Sequence, residues 1–162
     1  MRPFNLIVSC SENRVIGCQG QLPWSIPEDQ RFFQEQTAGE IVLLGRVCFD
    51  TWPGATRDGR RAVVVTRQPL PAGRSAQAAP SLAAALDLAA ALPGEIYICG
   101  GEQLSRESLA MAAATRLYLT LVHAEVAGDR YFPEWRQAFP RELARREGAD
   151  ASWRYTFLTL AR

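Results

Sequence analysis

The chain has 162 residues, enough for one domain with a sizeable hydrophobic core, and we expect that domain to span residues 1–162. Hydrophobic residues make up 48% and charged residues 22% of the chain, a composition that excludes intrinsic disorder. The formal net charge of +1 provides no global field to attract nucleic acid or an anionic membrane, so we expect neither as a partner.

Strands and helices alternate over the first three quarters of the chain. Five apolar, mostly β-branched runs are predicted as buried strands: residues 4–10, 41–44, 61–66, 95–99 and 116–122. Four helices are predicted between them: one after Ser25 that ends before Gly39, residues 47–52, an alanine-rich helix capped by Ser81, and residues 102–111. Residues 11–17 and 68–80 are predicted as loops.

The tail contains two alternating segments, residues 142–146 and 153–160, which are typical of a hairpin. Strands that alternate with helices favour a parallel sheet, and a terminal hairpin adds antiparallel edge strands. The sequence therefore predicts a single-domain, three-layer α/β fold. Its central sheet is mainly parallel, helices cover both faces, and an antiparallel hairpin closes the C-terminal end.

The first helix begins with a pattern that predicts its own cap. Ser25 and Glu28 have the spacing of a capping box, in which the two side chains satisfy free amides at the helix start. Pro27 falls in the first turn, where its missing N–H is not needed. We therefore expect Glu28 to have a capping role.

Asp29 has no such clear structural task. It shares one helical face with Phe32, Phe33 and Gln36, because these residues follow the i, i+3, i+4, i+7 spacing. Two interpretations remain open on these residues alone. Asp29 is either a second acid that favours the helix N-terminus, or a carboxylate in an apolar pocket whose pKa is raised above about 3.9.

Three predicted strand ends carry residues that suit a phosphate-rich ligand. The second strand ends at Arg46, the third at Thr66 and Arg67, and the fourth at Gly100 and Gly101 directly before a helix. Arginine forks and the free amides of a helix start both bind phosphate oxygens. Ligands of open α/β sheets bind beyond the carboxyl ends of the strands, so these residues are expected to lie at one edge.

Several other kinds of site are excluded. The G-x-G-x-x-G and Walker A sequences are absent, and all 18 basic residues are Arg, which excludes lysine chemistry. His123 is the single histidine, and the chain has no nucleophile-elbow motif with which it could form a Ser-His-Asp or Cys-His catalytic site. The four cysteines are widely spaced: Cys10, Cys18, Cys48 and Cys99. They predict neither a metal site nor a disulfide framework, and with no signal peptide or membrane span we expect a cytoplasmic protein.

Eight sequence blocks, taken together, resemble the dihydrofolate reductase family. In chain order they are VIG at 15–17, LPW at 22–24, PEDQRFF at 27–33, LLGR at 43–46, VVVTR at 63–67, ICGG at 98–101, LYLT at 117–120 and GDRYFP at 128–133. The resemblance implies an NADPH-dependent oxidoreductase of one-carbon metabolism that makes tetrahydrofolate. A hydride would go to C6 of dihydrofolate and a proton to N5.

The resemblance also assigns residues to the substrate. Asp29 would hydrogen-bond the 2-amino group and N3 of the pterin, with Thr120 supporting its carboxylate. Leu22 and Trp24 would belong to the mobile loop over the ring, and Arg60 would bind the α-carboxylate of the glutamyl tail. The remaining substrate-binding positions are Ile7, Val8, Gln30, Phe33 and Cys99.

The same resemblance assigns residues to the cofactor. Arg46, Thr66 and Arg67 would take the adenosine 2′-phosphate, which favours NADPH over NADH. Gly100 and Gly101 would be joined by a cis peptide bond. The other cofactor-binding positions are Ser9, Ile16, Gly17, Val47, Cys48, Gln103 and Leu104. No metal is implied.

Four positions depart from the usual family pattern. Cys48 stands in place of a common Thr, Val47 in place of a frequent basic residue, and Ser105 in place of a common Tyr. Gln30 is polar where many members have an apolar residue. These changes point to weaker cofactor binding or altered sensitivity to antifolate inhibitors.

Two other functions are kept as alternatives. One is a related pterin or pyrimidine reductase, although such relatives lack the W-x-x-P-x-D pattern seen from Trp24 to Asp29. The other is a folate- or nucleotide-binding module without catalytic activity. The resemblance implies a monomer, since the family tends to be monomeric, and the chain shows no long exposed apolar stripe to argue otherwise.

Overall fold

The computed structural model describes residues 1–162 and contains ten strands and four α-helices. The strands are β1 Phe4–Ser11, β2 Val15–Gly17, β3 Ile41–Gly45, β4 Arg61–Val65, β5 Ala76–Ala79, β6 Ile96–Ile98, β7 Ala114–Val122, β8 Arg130–Tyr131, β9 Arg141–Ala149 and β10 Arg154–Ala161. The helices are α1 Pro27–Thr37, α2 Arg46–Thr51, α3 Leu82–Ala90 and α4 Glu102–Leu109. A short 3-10 helix, Pro53–Thr56, follows α2.

Eight of the strands form one sheet in the order β5-β4-β3-β6-β1-β7-β10-β9. Neighbours from β5 to β7 run parallel, and β10 pairs antiparallel with both β7 and β9. The hairpin β9–β10 therefore adds two antiparallel strands at one edge. This arrangement confirms the predicted fold class.

Helices cover both faces of the sheet. Because side chains alternate along a strand, Ile41 and Leu43 of β3 pack in a different cluster from Val42 and Leu44. The first cluster holds 23 buried residues and includes the apolar faces of α3 and α4. On the other face, α1 lies over β1, β6, β7 and β10, and α2 lies over β3 and β4. None of the four helices has the length and hydrophobicity that crossing a bilayer requires.

The structure corrects two predicted loops. Residues 68–80 contain β5, a short edge strand of sequence AQAA that pairs with β4. Alanine has low strand propensity, so only the tertiary pairing produces this strand. Residues 11–17 contain β2, which pairs with β8 from a distant part of the chain in a small second sheet. Such pairing leaves little local signal in three-residue or two-residue segments.

Arginines from elsewhere in the chain bind the carbonyls at the ends of all four helices. Such carbonyls have no partner within the helix, and a guanidinium satisfies them while opposing the negative end of the dipole. The donor and acceptor pairs are Arg60 with Gln34, Arg74 with Phe49 and Trp52, Arg2 with Ala89 and Leu92, and Arg162 with Leu109 and Met111. Arg60 thereby fixes the end of α1, the helix that carries Asp29.

Candidate active site

The start of α1 does not contain the predicted capping box. Ile26 is the N-cap, in an extended conformation, and no side chain caps the helix, so the expected capping role of Ser25 and Glu28 is wrong. The helix starts one residue later than the capping-box pattern requires. Glu28 instead accepts hydrogen bonds from Tyr155 and Arg146 of the C-terminal hairpin.

Asp29 lies between α1 and the sheet. Only 8% of the accessible surface of Asp29 is exposed to solvent. The Thr120 hydroxyl of β7 donates a hydrogen bond to Asp29 Oδ1 at 2.6 Å. Thr120 is itself buried. The indole Nε1 of Trp24 donates to the Ser9 hydroxyl at 3.1 Å, and that hydroxyl also faces the carboxylate. The first turn of α1, the end of β1 and the end of β7 therefore meet at one carboxyl group.

Burial raises the pKa of the Asp29 carboxyl above its ordinary value. The hydrogen bonds from Thr120 and Ser9 act in the opposite direction, because they stabilise the ionised form, but desolvation is the larger effect. No cationic side chain pairs with this carboxylate. Of the two interpretations that the sequence left open, the structure supports the apolar pocket.

The walls beside Asp29 are apolar and aromatic. Ile7, Tyr97 and Tyr118 form a buried cluster, and Phe32, Phe33 and Cys99 pack against it. Three expected substrate-binding residues, Ile7, Phe33 and Cys99, are therefore together. Burial raises the pKa of the Cys99 thiol, so it acts as an apolar wall and not as a nucleophile.

Three other expected residues lie at the margin of this pocket or outside it. Val8 packs with the cluster on the opposite face of the sheet, so its side chain points away from Asp29. Gln30 is exposed to solvent on α1. Leu22 is 49% exposed in the segment before Trp24, as a residue of a covering loop would be.

Arg60 is a buried arginine with nearly all of its donors engaged. Its Nε donates to Thr37 Oγ1 at 2.9 Å, and its Nη1 faces the carbonyls of Gly54 and Arg57 and the Asp58 carboxylate. Its Nη2 donates only to the Gln34 carbonyl, at 2.7 Å, which leaves one N–H of that nitrogen available. The protein thus holds the guanidinium rigidly.

Sequence reasoning missed two residues that line this region. The Trp52 ring lies 4.9 Å from Phe33 and 5.2 Å from the Arg60 guanidinium, measured to ring centroids. No local signal marks this position, because it follows the end of α2. Tyr118 could have been found, since it is two residues from Thr120 on one strand and so shares its face.

The residues expected to bind the cofactor lie at the carboxyl ends of the adjacent strands β4, β3 and β6. Arg46 pairs with Asp50 and donates to the Pro69 carbonyl. Thr66 accepts from the Gln68 amide, while Arg67 is exposed and makes no hydrogen bond or ion pair. The three strand ends are together, as predicted, but their side chains lie on the surface.

The Gly100–Gly101 peptide bond is cis, as the family resemblance implied. The Gly45 amide donates to the Gly100 carbonyl at 3.0 Å, so the ends of β3 and β6 are joined. Gly101 is the N-cap of α4 and supplies no side chain, so the first amides of that helix are free of a side-chain cap. Free amides at a sheet edge that also carries Arg46 and Arg67 fit a ligand that carries phosphate.

The other expected cofactor-binding residues surround this turn or lie near the small second sheet. Cys48 borders the Gly-Gly turn, since its Sγ would be 3.6 Å from a Cβ added at Gly100. Val47 is 64% exposed. Ile16 and Gly17 lie in β2, and Gln103 and Leu104 lie in the first turn of α4.

Comparison with known proteins identifies the family. The family model described as dihydrofolate reductase matches residues 3–162. The dihydrofolate reductase of Neisseria meningitidis serogroup B is 37% identical over 98% of this chain and 97% of its own length. The type 3 dihydrofolate reductase of Salmonella typhimurium is 39% identical over 98% of both chains.

A solved structure agrees with the sequence comparison. It is the dihydrofolate reductase of Enterococcus faecalis in complex with NADP(H) and RAB-propyl. It superposes on this chain with a TM-score of 0.83 and 28% identity, over 99% of this chain and 96% of that one. The chain therefore belongs to the dihydrofolate reductase family.

Proposed function

We propose that this chain reduces dihydrofolate to tetrahydrofolate with NADPH. The family match, the relatives and the neighbouring structure with NADP(H) support this activity. The feature of the molecule that supports it most strongly is the buried Asp29 carboxylate, held by Thr120 in a pocket of aromatic and aliphatic side chains. A flat heterocycle with N–H donors on one edge fits that environment.

Asp29 binds and orients the pterin ring. Its carboxylate accepts hydrogen bonds from the 2-amino group and N3, while Ile7, Phe33 and Cys99 pack against the ring. Negative charge beside the ring stabilises a positive charge on it, which favours protonation at N5. A water molecule carries the proton to N5, and Asp29 need not be in contact with that atom.

Thr120, Trp24 and Leu22 assist this chemistry. Thr120 fixes the carboxylate by a short hydrogen bond, so the acceptor geometry is set before substrate binds. Trp24 is tied to Ser9 and carries the covering segment, whose exposed Leu22 limits access of water to the ring.

The glutamyl tail of the substrate extends towards Arg60. Its guanidinium is already fixed by α1 and by the turn after the 3-10 helix, so little side-chain entropy is lost on binding a carboxylate. Gln30, exposed on α1, contacts the part of the substrate between ring and tail. Val8 contributes through its backbone.

NADPH, when bound, supplies the hydride that reduces C6. Arg46, Thr66 and Arg67 would hold its 2′-phosphate, and the amides that begin α4, with Gln103 and Leu104, would hold its other phosphates. Gly100 and Gly101 leave room for close approach, together with Val47 and Cys48. Ser9, Ile16 and Gly17 would hold the nicotinamide end.

We also propose that the protein works as a monomer in the cytoplasm and is inhibited by antifolates that mimic the pterin ring. Its four cysteines are all unpaired, which agrees with a reducing compartment.

The activity is tested by mixing the purified protein, NADPH and dihydrofolate and following NADPH absorbance. We expect oxidation that needs both protein and dihydrofolate and that slows strongly with NADH. Tight NADPH binding in calorimetry without oxidation would contradict the proposal and favour a binding module. Oxidation with another pterin or a pyrimidine, but not with dihydrofolate, would favour a related reductase.

A further inference from the structure

We infer that Glu28, Tyr155 and Arg146 form a clamp that positions Asp29. The three are positioning residues, because they make no hydrogen bond to Asp29 and act on it through the first turn of α1. The inference rests on the proposed function only where it concerns turnover. Its structural part, the orientation of the Asp29 carboxylate, is testable without any substrate.

The clamp joins the first turn of α1 to the two strands of the hairpin. Glu28 Oε1 accepts from the Tyr155 hydroxyl of β10, and Glu28 Oε2 accepts from Arg146 Nη1 of β9, both at 2.8 Å. The Arg146 guanidinium also lies over the Phe157 ring, 4.3 Å from its centroid. The two carboxylate oxygens therefore have separate donors from separate strands.

Gly148 makes this geometry sterically accessible. It is directly opposite Tyr155 in the β9–β10 ladder. A Cβ at this position would lie 2.5 Å from Tyr155 Cε2 and 2.8 Å from Glu28 Oε1. Only a residue without a side chain lets the tyrosine ring cross the strand and reach Glu28.

The clamp holds the start of a helix that has no side-chain cap. No side chain caps α1; in its first turn, Glu28 accepts hydrogen bonds from the hairpin and Asp29 accepts one from β7. β10 lies next to β7 in the sheet, with Phe157 opposite Thr120. Two consecutive carboxylates are thus anchored to neighbouring strands, and loosening one anchor frees the helix turn that carries the other.

Different groups face the two carboxylates. Asp29 faces the uncharged hydroxyls of Thr120 on β7 and Ser9 on β1. Glu28 faces Arg146 of β9 and Tyr155 of β10, with Arg31 on its own helix. The hydrogen bond from Arg146 lowers the pKa of Glu28, so Glu28 stays ionised while it holds the turn. The hairpin therefore binds one carboxylate through charge, while the pocket holds the other mainly through neutral groups.

The test uses a double variant, Tyr155→Phe with Arg146→Met, which removes both donors and leaves Glu28 in place. Met keeps an apolar side chain over Phe157. The single variant Tyr155→Phe serves as a second measurement should the double variant unfold. Glu142→Ala is the matched control, because it breaks an exposed pair with Arg145 on the same strand β9.

Two readouts are made on folded protein, well below the melting temperature. The first is the carbon-13 NMR titration of the Asp29 carboxyl in protein without ligand, assigned with Asp29→Asn. We expect its pKa in the double variant to fall towards the ordinary value, because a loosened turn exposes the carboxylate to water. The loss of the Arg146 charge alone would move the pKa upward, so the sign separates positioning from charge.

The second readout is turnover of dihydrofolate. We expect kcat to fall about tenfold in the double variant and by less in Tyr155→Phe. The KM for NADPH should stay the same in both variants, and the Glu142→Ala control should keep the kcat of the unmodified protein. An unchanged or raised pKa of Asp29 in both variants, or an unchanged kcat, would overturn the clamp. Lack of activity in the unmodified chain would instead contradict the proposed function, while the titration would still decide the clamp.

Discussion

The region around Asp29, which we propose binds the pterin (the pterin side), differs from the strand ends with Arg46 and Arg67, which we propose bind the NADPH phosphates (the phosphate side). The protein holds the side chains of the first region more firmly than those of the second. On the pterin side, Asp29, Thr120 and Arg60 are buried, and each is hydrogen-bonded to the protein. On the phosphate side, Arg67 is exposed and makes no hydrogen bond, and Arg46 pairs with the exposed Asp50. The first region is part of the core, and the second is arranged on its surface.

The chemistry of the two proposed ligand parts accounts for this difference. A ring that exchanges a proton and a hydride benefits from a dry pocket, where electrostatic interactions are strong. A phosphate is recognised by long charged side chains that remain hydrated until it binds. We therefore expect pterin-side substitutions to change turnover and stability together, and phosphate-side substitutions to change cofactor affinity alone.

The largest effect is expected from Asp29→Asn. The variant keeps an oxygen that accepts from Thr120 but loses the negative charge beside the ring. Turnover at neutral pH should fall by about a hundredfold or more, with a smaller loss at low pH where the substrate is already protonated. Near-normal steady-state rates at neutral pH would show that Asp29 is not the functional carboxylate.

The next largest effect is expected from Thr120→Val. The side chains have a similar volume, but the Asp29 carboxylate would lose its 2.6 Å hydrogen bond inside the core. An unsatisfied buried group costs about 1–3 kcal/mol, and loss of the supporting bond should also reduce kcat about tenfold. Urea unfolding and steady-state kinetics measure the two effects. A change in only the free energy of unfolding, or only kcat, would contradict the expectation that stability and turnover change together on the pterin side.

A smaller and narrower effect is expected from Arg67→Ala. The KM for NADPH should rise about tenfold, as expected for loss of one arginine–phosphate contact, while the KM for NADH stays the same. Because Arg67 makes no hydrogen bond within the protein, the melting temperature should not change. A parallel loss with both cofactors, or a clear loss of stability, would contradict the contrast between the two sides.

The smallest expected effect concerns stability and pH. Burial raises the pKa of Asp29 in the folded state, so the folded protein binds more protons than the unfolded chain between the two pKa values. The contribution of Asp29 to the free energy of unfolding therefore decreases as pH rises from its pKa in the unfolded chain to its pKa in the folded protein. Asp29→Asn should be more stable than the unmodified protein at neutral pH, and the gain should disappear below about pH 4. Melting curves of Asp29→Asn and the unmodified protein, measured at the same series of pH values, check this prediction. A variant that is less stable than the unmodified protein at neutral pH would contradict it.

The alternating patterns were enough to predict most of the fold. Residues 41–44 and 116–122 are apolar runs whose burial dictates strands, and Ser81 caps α3 as predicted, accepting from the Ala84 amide. The strands β2 and β5 were missed because their pairing depends on distant segments and not on local preference. The order of strands in the sheet likewise depends on contacts that local periodicity does not contain.

The site could be predicted in part. The shared edge of Arg46, Thr66 and Gly100 followed from the rule that parallel strands end together. The role of Glu28 was mistaken, because a capping box and a carboxylate bound by a distant hairpin look the same in sequence. The burial of Asp29 could not be predicted from the sequence, because its position on the helical face fits a solvent-exposed edge of the core equally well.

The most direct test of a buried carboxylate that serves the pterin is the pH dependence of kcat for the unmodified protein and Asp29→Asn, with NADPH saturating. The rate of the unmodified protein should fall as pH rises through an apparent pKa of the ligand complex, which belongs to the coupled Asp29 carboxylate and pterin together. Asp29→Asn should lack that transition and approach the unmodified rate only at low pH. Two profiles of the same height and shape would contradict the central role of Asp29.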